Sequence, residues 1–255
     1  MDKEDYRAEK MSAKSKINYS DWNSLPLWKH QIDAVRMVSE YIDSKVKGSA
    51  LVRMPTGTGK SGVIAVVARC FKATPSVLVV VPWSYLREQL KRDIKYRFWD
   101  HINVETDSLP VKVIESITPS TVQACLKETE NHDTIFICTI QTLENIYAKN
   151  RVAYELLKNR ISLVIVDEGH REPAPKWSKA VREINKPTVL FTATPYRNDH
   201  KMFNVNPKYA FAYTHQQAEA EKYIREVEFC EVNFQNSPEN FVNKLLDFYN
   251  KLKEI

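Results

Sequence analysis

Glycine is scarce in this sequence. The 255 residues include five glycines, whereas average usage would give roughly 18. Gly57, Gly59 and Gly62 nevertheless fall within a single short stretch. A chain that uses so little glycine elsewhere has placed it where the backbone must approach another group or adopt a positive φ. This stretch is therefore the first candidate for a functional site.

Long hydrophobic runs, a secretory signal and closely spaced cysteines are also missing. The longest apolar stretches, residues 63–70 and 77–83, are much shorter than the ~20 residues that a membrane-spanning helix needs. Residues 1–20 mix acidic and basic side chains without an apolar segment, so we read no signal peptide and expect a cytoplasmic, intracellular protein. The four cysteines are too far apart for a Cys-x-x-Cys metal or redox motif.

No charge of one sign dominates the chain. Lysine and arginine number 37 against 32 acidic residues, a net charge of +5. This mild excess permits nucleic-acid contact without requiring it. Apolar residues make up 43% of the chain and charged residues 27%, which is typical of a soluble globular protein.

The composition divides the chain into three segments. Residues 1–20 are charged and aperiodic, which predicts a mobile N-terminal arm. Residues 21–225 are expected to form one α/β lobe, and residues 226–255 a strand and a helix that lead toward a further domain. Because that last helix has an apolar face in need of a partner, we expect the natural chain to continue beyond Ile255.

Within residues 21–225, short apolar runs alternate with longer amphipathic stretches. The predicted strands are Ala50–Met54, Val77–Val81, Val111–Ile114, Thr134–Thr139, Leu163–Val166 and Thr188–Thr192. The main predicted helices are His30–Ile42, Lys60–Phe71, Tyr85–Trp99, Gln141–Asn159 and His215–Ile224. This rhythm predicts an α/β fold with a doubly wound parallel sheet flanked by helices.

A phosphate-binding loop follows the first predicted strand. Residues 54–61 read Met-Pro-Thr-Gly-Thr-Gly-Lys-Ser, which matches the pattern G-x-x-x-x-G-K-[ST] except at its first position. In such a P-loop the backbone N–H groups bind phosphate oxygens, Lys60 reaches the β and γ phosphates, and the Ser61 hydroxyl ligates Mg²⁺. The residues predicted to hold the nucleotide phosphates are Pro55, Thr56, Gly57, Thr58, Gly59, Lys60 and Ser61.

Two adjacent acids end a later strand. Asp167 and Glu168 directly follow the apolar run Leu163–Val166. Because parallel strands end at one edge of a sheet, we expect these acids beside the P-loop. One of the two carboxylates could hold Mg²⁺ through water, and its neighbour could orient and deprotonate the water that attacks the γ-phosphate.

Together these motifs resemble the first RecA-like lobe of a superfamily-two helicase or translocase of the DExH type, in its restriction-type DEAD/DEAH-box branch. The resemblance covers residues 25–197 and implies ATP and Mg²⁺ as cofactors. Residues 25–31, Leu-Pro-Leu-Trp-Lys-His-Gln, resemble the upstream segment of that family, which implies that Gln31 recognises adenine. The catalytic residues that the resemblance implies are Lys60, Asp167, Glu168 and His170. The resemblance also implies that Ser61 and Asp167 position Mg²⁺ and that Glu168 orients the attacking water.

Two further segments resemble motifs that line the nucleic-acid path in this family. Residues 79–89 resemble motif Ia, and residues 138–143 resemble motif Ib. The residues assigned to nucleic acid on this basis are Pro82, Trp83, Arg87, Gln89, Thr139, Gln141 and Thr142. Arg87, Lys91 and Lys95 also share one helix face, a spacing suited to phosphates, although a solvated, partly paired basic face explains them nearly as well.

A third resemblance concerns coupling between the nucleotide and the nucleic acid. Residues 191–195, Phe-Thr-Ala-Thr-Pro, resemble motif III, whose hydroxyls link the two sites in this family. Tyr196 and Arg197 extend it in the manner of restriction-type motors. The resemblance therefore implies coupling roles for Thr192, Thr194 and Arg197, with His170 hydrogen-bonded to this segment.

The sequence thus predicts an ATP-binding lobe that forms half of a nucleic-acid helicase or translocase, with DNA favoured over RNA as its partner. No segment resembles the second lobe of the family, which carries the arginine finger. We therefore expect that lobe in the same longer chain or in trans, and slow hydrolysis by this lobe alone. Two alternatives stay open: the motor of a restriction or defence nuclease, and a nucleotide-gated nucleic-acid-binding adaptor without sustained turnover.

Overall fold

The computed structural model describes residues 22–168, 175–194, 204–225, 241–243 and 245–246. The described residues up to Ile224 form one compact unit, and those from Arg225 onward belong to a second. In the second unit, residues 241–243 and 245–246 are helical. The predicted N-terminal arm, the predicted strand at residues 226–234, His170 and Arg197 all lie outside the described residues.

The first unit is built on a seven-stranded sheet with the order β3-β4-β2-β5-β6-β1-β7. Every strand pair in it is parallel. The strands are β1 (Ser49–Arg53), β2 (Val77–Val81), β3 (Val113–Ser116), β4 (Thr134–Thr139), β5 (Leu163–Val166), β6 (Thr188–Thr192) and β7 (Val205–Ala212). Such a sheet needs a crossover between neighbouring strands, and helices supply most of these connections.

Nine α-helices are described in this unit. They are α1 (Lys29–Ser44), α2 (Lys60–Cys70), α3 (Ser84–Arg92), α4 (Phe98–His101), α5 (Val122–Glu128), α6 (Ile140–Lys149), α7 (Arg151–Arg160), α8 (Pro175–Ile184) and α9 (His215–Ala220). A π-helical turn, Asp93–Arg97, joins α3 to α4. None of the helices in the described ranges has the length and apolarity needed to cross a membrane.

Strand side chains alternate between two buried layers. Val77, Val79 and Val81 of β2 belong to the layer that contains α1, α2 and the π-helical turn. Leu78 and Val80 belong to the opposite layer, which contains α6, α7 and α8. Because both faces of the sheet are covered, its central strands are continuously apolar. Polar groups can therefore lie at the edge where the strands end, rather than on the two covered faces.

The structure confirms the predicted parallel α/β sheet and corrects its details. The predicted helix Gln141–Asn159 is two helices, because Asn150 has φ −138° and ψ 71° and its side chain caps α7 through the Ala153 amide at 3.1 Å. The predicted strand Val111–Ile114 begins at Val113 instead. The strand β7, which pairs with β1, lies where no strand was predicted.

Candidate functional site: the carboxyl edge of the sheet

Most of the predicted site residues that the structure describes follow the carboxyl ends of five neighbouring strands, which lie in the order β4-β2-β5-β6-β1. The P-loop follows β1, and the acidic pair follows β5, two strands away. Between them, β6 ends at Thr192, while β2 and β4 lead into the segments predicted to bind nucleic acid. Parallel α/β sheets bind their ligands at this edge.

Glycine sets the conformation of the P-loop. Gly57 and Gly59 have φ values of +89° and +80°, which L side chains rarely adopt. A Cβ atom on Gly59 would lie 2.2 Å from Nε2 of Gln31. The loop is closed from within by the Thr58 hydroxyl, which donates to the Pro55 carbonyl at 2.7 Å. This shape leaves the N-terminus of α2, with its unsatisfied N–H groups, facing the end of the loop.

Gln31 lies against the P-loop, as expected for a nucleotide-recognition residue. Its Nε2 donates to the Gly59 carbonyl at 3.2 Å, and its Oε1 accepts from the Trp28 amide at 3.0 Å. A glutamine amide can make four hydrogen bonds, so these two contacts leave donor and acceptor capacity. Recognition of adenine by Gln31 stays a prediction.

His30 is a contact of the P-loop that the sequence did not reveal. Its Nε2 lies 2.9 Å from the Thr58 carbonyl oxygen, within hydrogen-bonding distance. Its ring stacks on Tyr213, which follows β7, with centroids 4.2 Å apart. The chain after motif III thus returns to support the loop. Without the position of β7, no pattern in the sequence links Tyr213 to this site.

Lys60 is paired with the candidate catalytic base. Its Nζ lies 2.8 Å from Oε1 of Glu168, and the two side chains are only 13% and 23% exposed. Glu168 itself has a φ of 55°, a left-handed conformation that is uncommon for a residue with a side chain and is enriched at functional sites. In the structure, therefore, the lysine that would bind phosphate is neutralised by a carboxylate.

Asp167 lies in an environment that disfavours the ionised form of its carboxyl group. Burial raises the pKa of its carboxyl to about 6, Lys60 opposes this shift, and Glu168 adds to it. Its side-chain oxygen also accepts the backbone N–H of Glu168 at 3.0 Å. A partly buried carboxylate with a raised pKa beside a phosphate-binding loop is suited to a cation that restores its ionisation.

The groups at this edge fit the predicted nucleotide and metal. The glycine loop and the N-terminus of α2 provide backbone donors, and Lys60 provides a positive charge for phosphate oxygens. The Ser61 hydroxyl and the Asp167 carboxylate are the hard oxygen ligands that Mg²⁺ prefers. The donor set is therefore consistent with ATP and Mg²⁺.

A cavity of about 810 Å³ opens beside the loop. Trp28 and Gln31 line one side of it, and Gly59 and Ser61 line another. The remaining side comes from the segment after α3, which was not predicted to contribute to the site: Asp93, Arg97, Phe98, Asp100, His101, Ile102 and Asn103. This volume is in the usual range for a small-molecule site.

The residues assigned to motif Ia occupy the end of β2 and the start of α3. Pro82 is buried, whereas the Trp83 side chain is 42% exposed at the sheet edge. Arg87 pairs with Glu88 at 3.0 Å, and Lys91 lies 4.0 Å from Glu115. The basic face of α3 is therefore partly paired. This pairing fits a solvated surface face as well as it fits contacts with nucleic-acid phosphates.

The residues assigned to motif Ib cap the helix α6. The Thr139 hydroxyl accepts the backbone N–H of Thr142 at 3.1 Å, and the two hydroxyl oxygens lie 3.0 Å apart. Both side chains are buried, whereas Gln141 between them is exposed. Of these three side chains, only that of Gln141 is exposed enough to contact a ligand. Nucleic-acid contact by the segment stays a prediction.

The motif III hydroxyls interact within their own segment. Thr192 Oγ1 donates to the Thr194 carbonyl at 2.8 Å and accepts the Thr194 backbone N–H at 3.1 Å. Thr192 is buried and Thr194 is exposed. Their predicted coupling partners His170 and Arg197 lie outside the described residues, so the coupling role stays a prediction.

Comparisons with known proteins identify a family for most of the chain and a matching fold. A family model described as type III restriction enzyme, res subunit, matches residues 24–197. A nuclease-deletion mutant of the type ISP restriction-modification enzyme LlaGI, in complex with a DNA substrate mimic, is similar with a TM-score of 0.54 and 17% identity. That match covers 89% of this chain and 22% of the other.

A second solved structure is that of the ATP-dependent type ISP restriction-modification enzyme LlaBIII bound to DNA. It matches with a TM-score of 0.52 and 16% identity, over 77% of this chain and 15% of the other. The chain thus spans about a fifth or less of the length of these two proteins. No curated protein sequence matches it. At these identities the likeness shows the fold, which confirms the expected RecA-like lobe.

Proposed function

Because residues 24–197 match its model, the chain belongs to the family of type III restriction enzyme res subunits, and on this premise we propose that it is the ATP-binding lobe of a DNA translocase or helicase. The observation that carries the proposal is the convergence of the P-loop, Lys60 and the Asp167-Glu168 pair at one sheet edge, with Lys60 and Glu168 2.8 Å apart. Phosphoryl transfer needs this combination of anion cradle, cation site and carboxylate.

The nucleotide would be held by the loop and the cavity beside it. The backbone donors of residues 55–61 and the Lys60 ammonium would bind the phosphates. Gln31 lines the cavity next to Gly59, which supports a role in recognising the adenine. Mg²⁺, held by Ser61 and Asp167, would neutralise charge on the phosphates.

The Lys60–Glu168 pair defines the resting state of the site. While it persists, Glu168 neutralises part of the charge that Lys60 would offer to phosphate, and Glu168 cannot accept a proton as freely as an unpaired carboxylate. Phosphate oxygens compete for the lysine, so nucleotide binding releases Glu168 to orient and deprotonate the attacking water. The pair therefore prevents the base from acting before the nucleotide arrives.

A second RecA-like lobe is expected to complete the site by supplying an arginine finger. Arginine fingers raise the turnover rate roughly 10³–10⁵-fold in related phosphoryl-transfer enzymes. We assign residues 21–225 to the present lobe and residues 226–255 to the connection toward the second. The residues that would couple the nucleotide site to the nucleic-acid site are Thr192, Thr194, His170 and Arg197. Binding to DNA rather than RNA is supported by the two type ISP enzymes above, whose structures contain DNA or a DNA mimic.

The family also supports a more specific task for this motor. Both similar structures are restriction-modification enzymes, and the family is that of a restriction subunit. We therefore favour translocation along DNA in the service of a restriction or defence nuclease over strand separation. ATP and DNA as partners are consistent with a cytoplasmic location.

ATP turnover tests the proposal. The 255-residue chain would be assayed alone, with single- and double-stranded DNA and RNA, and with a second lobe supplied, against Lys60→Ala and Glu168→Gln variants. We expect slow turnover by the chain alone, stimulation by DNA and the second lobe, and loss in both variants. Equal turnover in wild type and Lys60→Ala would overturn the proposal. Nucleotide-dependent DNA binding without stimulated turnover would support the adaptor alternative instead.

A further inference from the structure

Two neighbouring side chains of α1 hold the backbone of the P-loop. His30 Nε2 lies 2.9 Å from the Thr58 carbonyl oxygen, and Gln31 Nε2 donates to the Gly59 carbonyl at 3.2 Å. A carbonyl oxygen can only accept a hydrogen bond, so Nε2 of His30 is the donor. Two successive carbonyls of the loop are therefore turned toward α1.

The direction of these carbonyls sets the direction of the N–H groups that follow them. In a trans peptide unit the C=O and N–H bonds lie in one plane and point in opposite directions. The hydrogen bond from His30 to the Thr58 carbonyl therefore aims the Gly59 N–H away from α1. In the same way, the bond from Gln31 aims the Lys60 N–H away from α1. Successive N–H groups that point together form a concave site for an anion.

These N–H groups are available to a ligand. Within the described residues, the loop amides that donate to no protein acceptor include those of Gly59, Lys60 and Ser61. By contrast, the Thr58 amide is directed into the loop, where it donates to the Pro55 carbonyl at 3.4 Å. Backbone N–H groups in folded proteins are nearly always paired with protein, water or ligand. Phosphate oxygens would therefore satisfy the amides that the loop itself does not use.

Aromatic packing holds the imidazole ring of His30 in place. The residue is 4% exposed, and its Nδ1 is buried without a hydrogen-bond partner among the described residues. Tyr213 stacks on the ring with centroids 4.2 Å apart, and Tyr223 meets the ring edge-on at 4.8 Å. The Tyr213 hydroxyl is fixed in turn by Glu221 at 3.0 Å. The ring is thus held in one orientation, with Nε2 directed at the Thr58 carbonyl.

We propose that His30 is a positioning residue for phosphate binding: it fixes the Thr58 carbonyl and thereby aims the Gly59 N–H at the phosphates. This inference rests on the proposed binding of ATP at the P-loop. It gives the upstream segment a second function beside that of Gln31, one that concerns the phosphates and not the base. His30 acts through the loop backbone, so it is not a catalytic residue.

The test is the affinity of the full 255-residue chain for phosphate groups. A fluorescent ATP analogue would be bound in Mg²⁺ and displaced with inorganic tripolyphosphate, which has neither base nor ribose. His30→Phe keeps an aromatic ring for stacking but has no donor. We expect it to bind tripolyphosphate about tenfold more weakly, the loss that corresponds to one hydrogen bond to a charged group. Tyr41→Phe, which loses a hydrogen bond to the Gly48 carbonyl at 2.8 Å, is the matched control and should bind like wild type.

His30→Gln separates the hydrogen bond from the ring. The side-chain amide of glutamine can donate to the same carbonyl, although it cannot stack as an imidazole does. We therefore expect His30→Gln to retain most of the affinity that His30→Phe loses. Equal losses in the two variants would show that the ring matters and its hydrogen bond does not, which would overturn the inference. Unchanged affinity in His30→Phe, or an equal loss in Tyr41→Phe, would overturn it too.

The remaining outcomes are also decisive. If His30→Phe does not fold, His30→Leu takes its place, with the same expected loss, and an unchanged affinity again overturns the inference. If tripolyphosphate displaces nothing from wild type, the loop does not bind phosphate and the proposed function fails as well. Displacement that is as tight in His30→Phe as in wild type overturns only the inference.

Discussion

Asp167 shows how a single residue can oppose the stability of the lobe. Burial raises the pKa of its carboxyl to about 6 from the ordinary 3.8. Between these two values the folded state binds more protons than the unfolded state, so the contribution of this group to stability falls as pH rises. Above pH 6 the ionised carboxylate destabilises the fold, by up to about 3 kcal/mol.

Asp167→Asn is therefore expected to stabilise the metal-free lobe at pH 8, by about 1–3 kcal/mol, although it removes a proposed metal ligand. Below about pH 3, a pH unit under the ordinary pKa of 3.8, the aspartate is largely protonated in both states, so the difference should nearly vanish. Thermal unfolding of wild type and variant at both pH values in EDTA measures this. Asp43→Asn, at an exposed position, is the matched control. A shift of equal size at pH 8 and below about pH 3 would contradict the electrostatic explanation.

The chemistry of single residues was easier to predict than their contacts. Lys60, Asp167 and Glu168 could be proposed as site residues from the sequence because their motifs directly follow apolar runs. Their contacts could not be predicted, since the Lys60–Glu168 pair joins the start of α2 to the segment after β5. The π-helical turn Asp93–Arg97, which contributes to the cavity lining, carried no signal either, because no periodicity of apolar residues indicates it.

At the scale of elements, the P-loop helix α2 is fastened at its far end by a buried lysine. Lys112 Nζ donates to the carbonyls of Ala68, Phe71 and Thr74 at 3.0, 3.2 and 2.6 Å. A cation suits this place, because carbonyls at a helix C-terminus carry partial negative charge. Burial lowers the pKa of Lys112 to about 8, so these hydrogen bonds offset a desolvation penalty.

Lys112→Met should lower the free energy of unfolding by about 2–4 kcal/mol, because it removes the donor that three carbonyls share. Of these, the Phe71 carbonyl alone keeps another donor, the Thr74 hydroxyl. Urea unfolding followed by circular dichroism measures the change. Lys72→Met, at an exposed site in the same region, is expected to stay within about 0.5 kcal/mol of wild type. A midpoint for Lys112→Met that equals that of Lys72→Met would contradict the role of the lysine.

The same lysine explains one error in the predicted elements. The run Val111–Ile114 was predicted as a strand, on the expectation that apolar residues face inward. In the structure Val111 is 89% exposed and Lys112 is 7% exposed, so the local pattern is inverted. Lys112 points inward because the carbonyls at the end of α2 need a donor. The sequence does not show this need, since it arises only when α2 and the chain before β3 lie side by side.

At the scale of the whole molecule, the fold was predictable because both faces of the sheet are covered. Buried strands such as Val77–Val81 are then continuously apolar and stand out from the helices. The edge strand Val205–Ala212 lacks this signal, since most of its side chains are partly or fully exposed. It was missed for that reason, and with it the support that Tyr213 gives to His30 and the P-loop.

The assembly of the site is likewise a property of the whole sheet. Strand order, rather than any one motif, brings the loop after β1 and the acids after β5 to one edge. The sequence predicted this convergence from the general rule for parallel sheets. It could not predict which groups would neutralise one another there, because such pairing depends on distances of a few ångströms between strands.

The central claim is that this edge binds ATP through the P-loop lysine, and calorimetric titration of ATP with Mg²⁺ into wild type and Lys60→Ala tests it most directly. Hydrogen bonds between charged groups contribute about 1.5–3 kcal/mol, so Lys60→Ala should bind roughly 10–100-fold more weakly. Lys72→Ala, an exposed lysine just beyond α2, should bind like wild type. Equal affinity in wild type and Lys60→Ala, or no binding by either, would contradict the account.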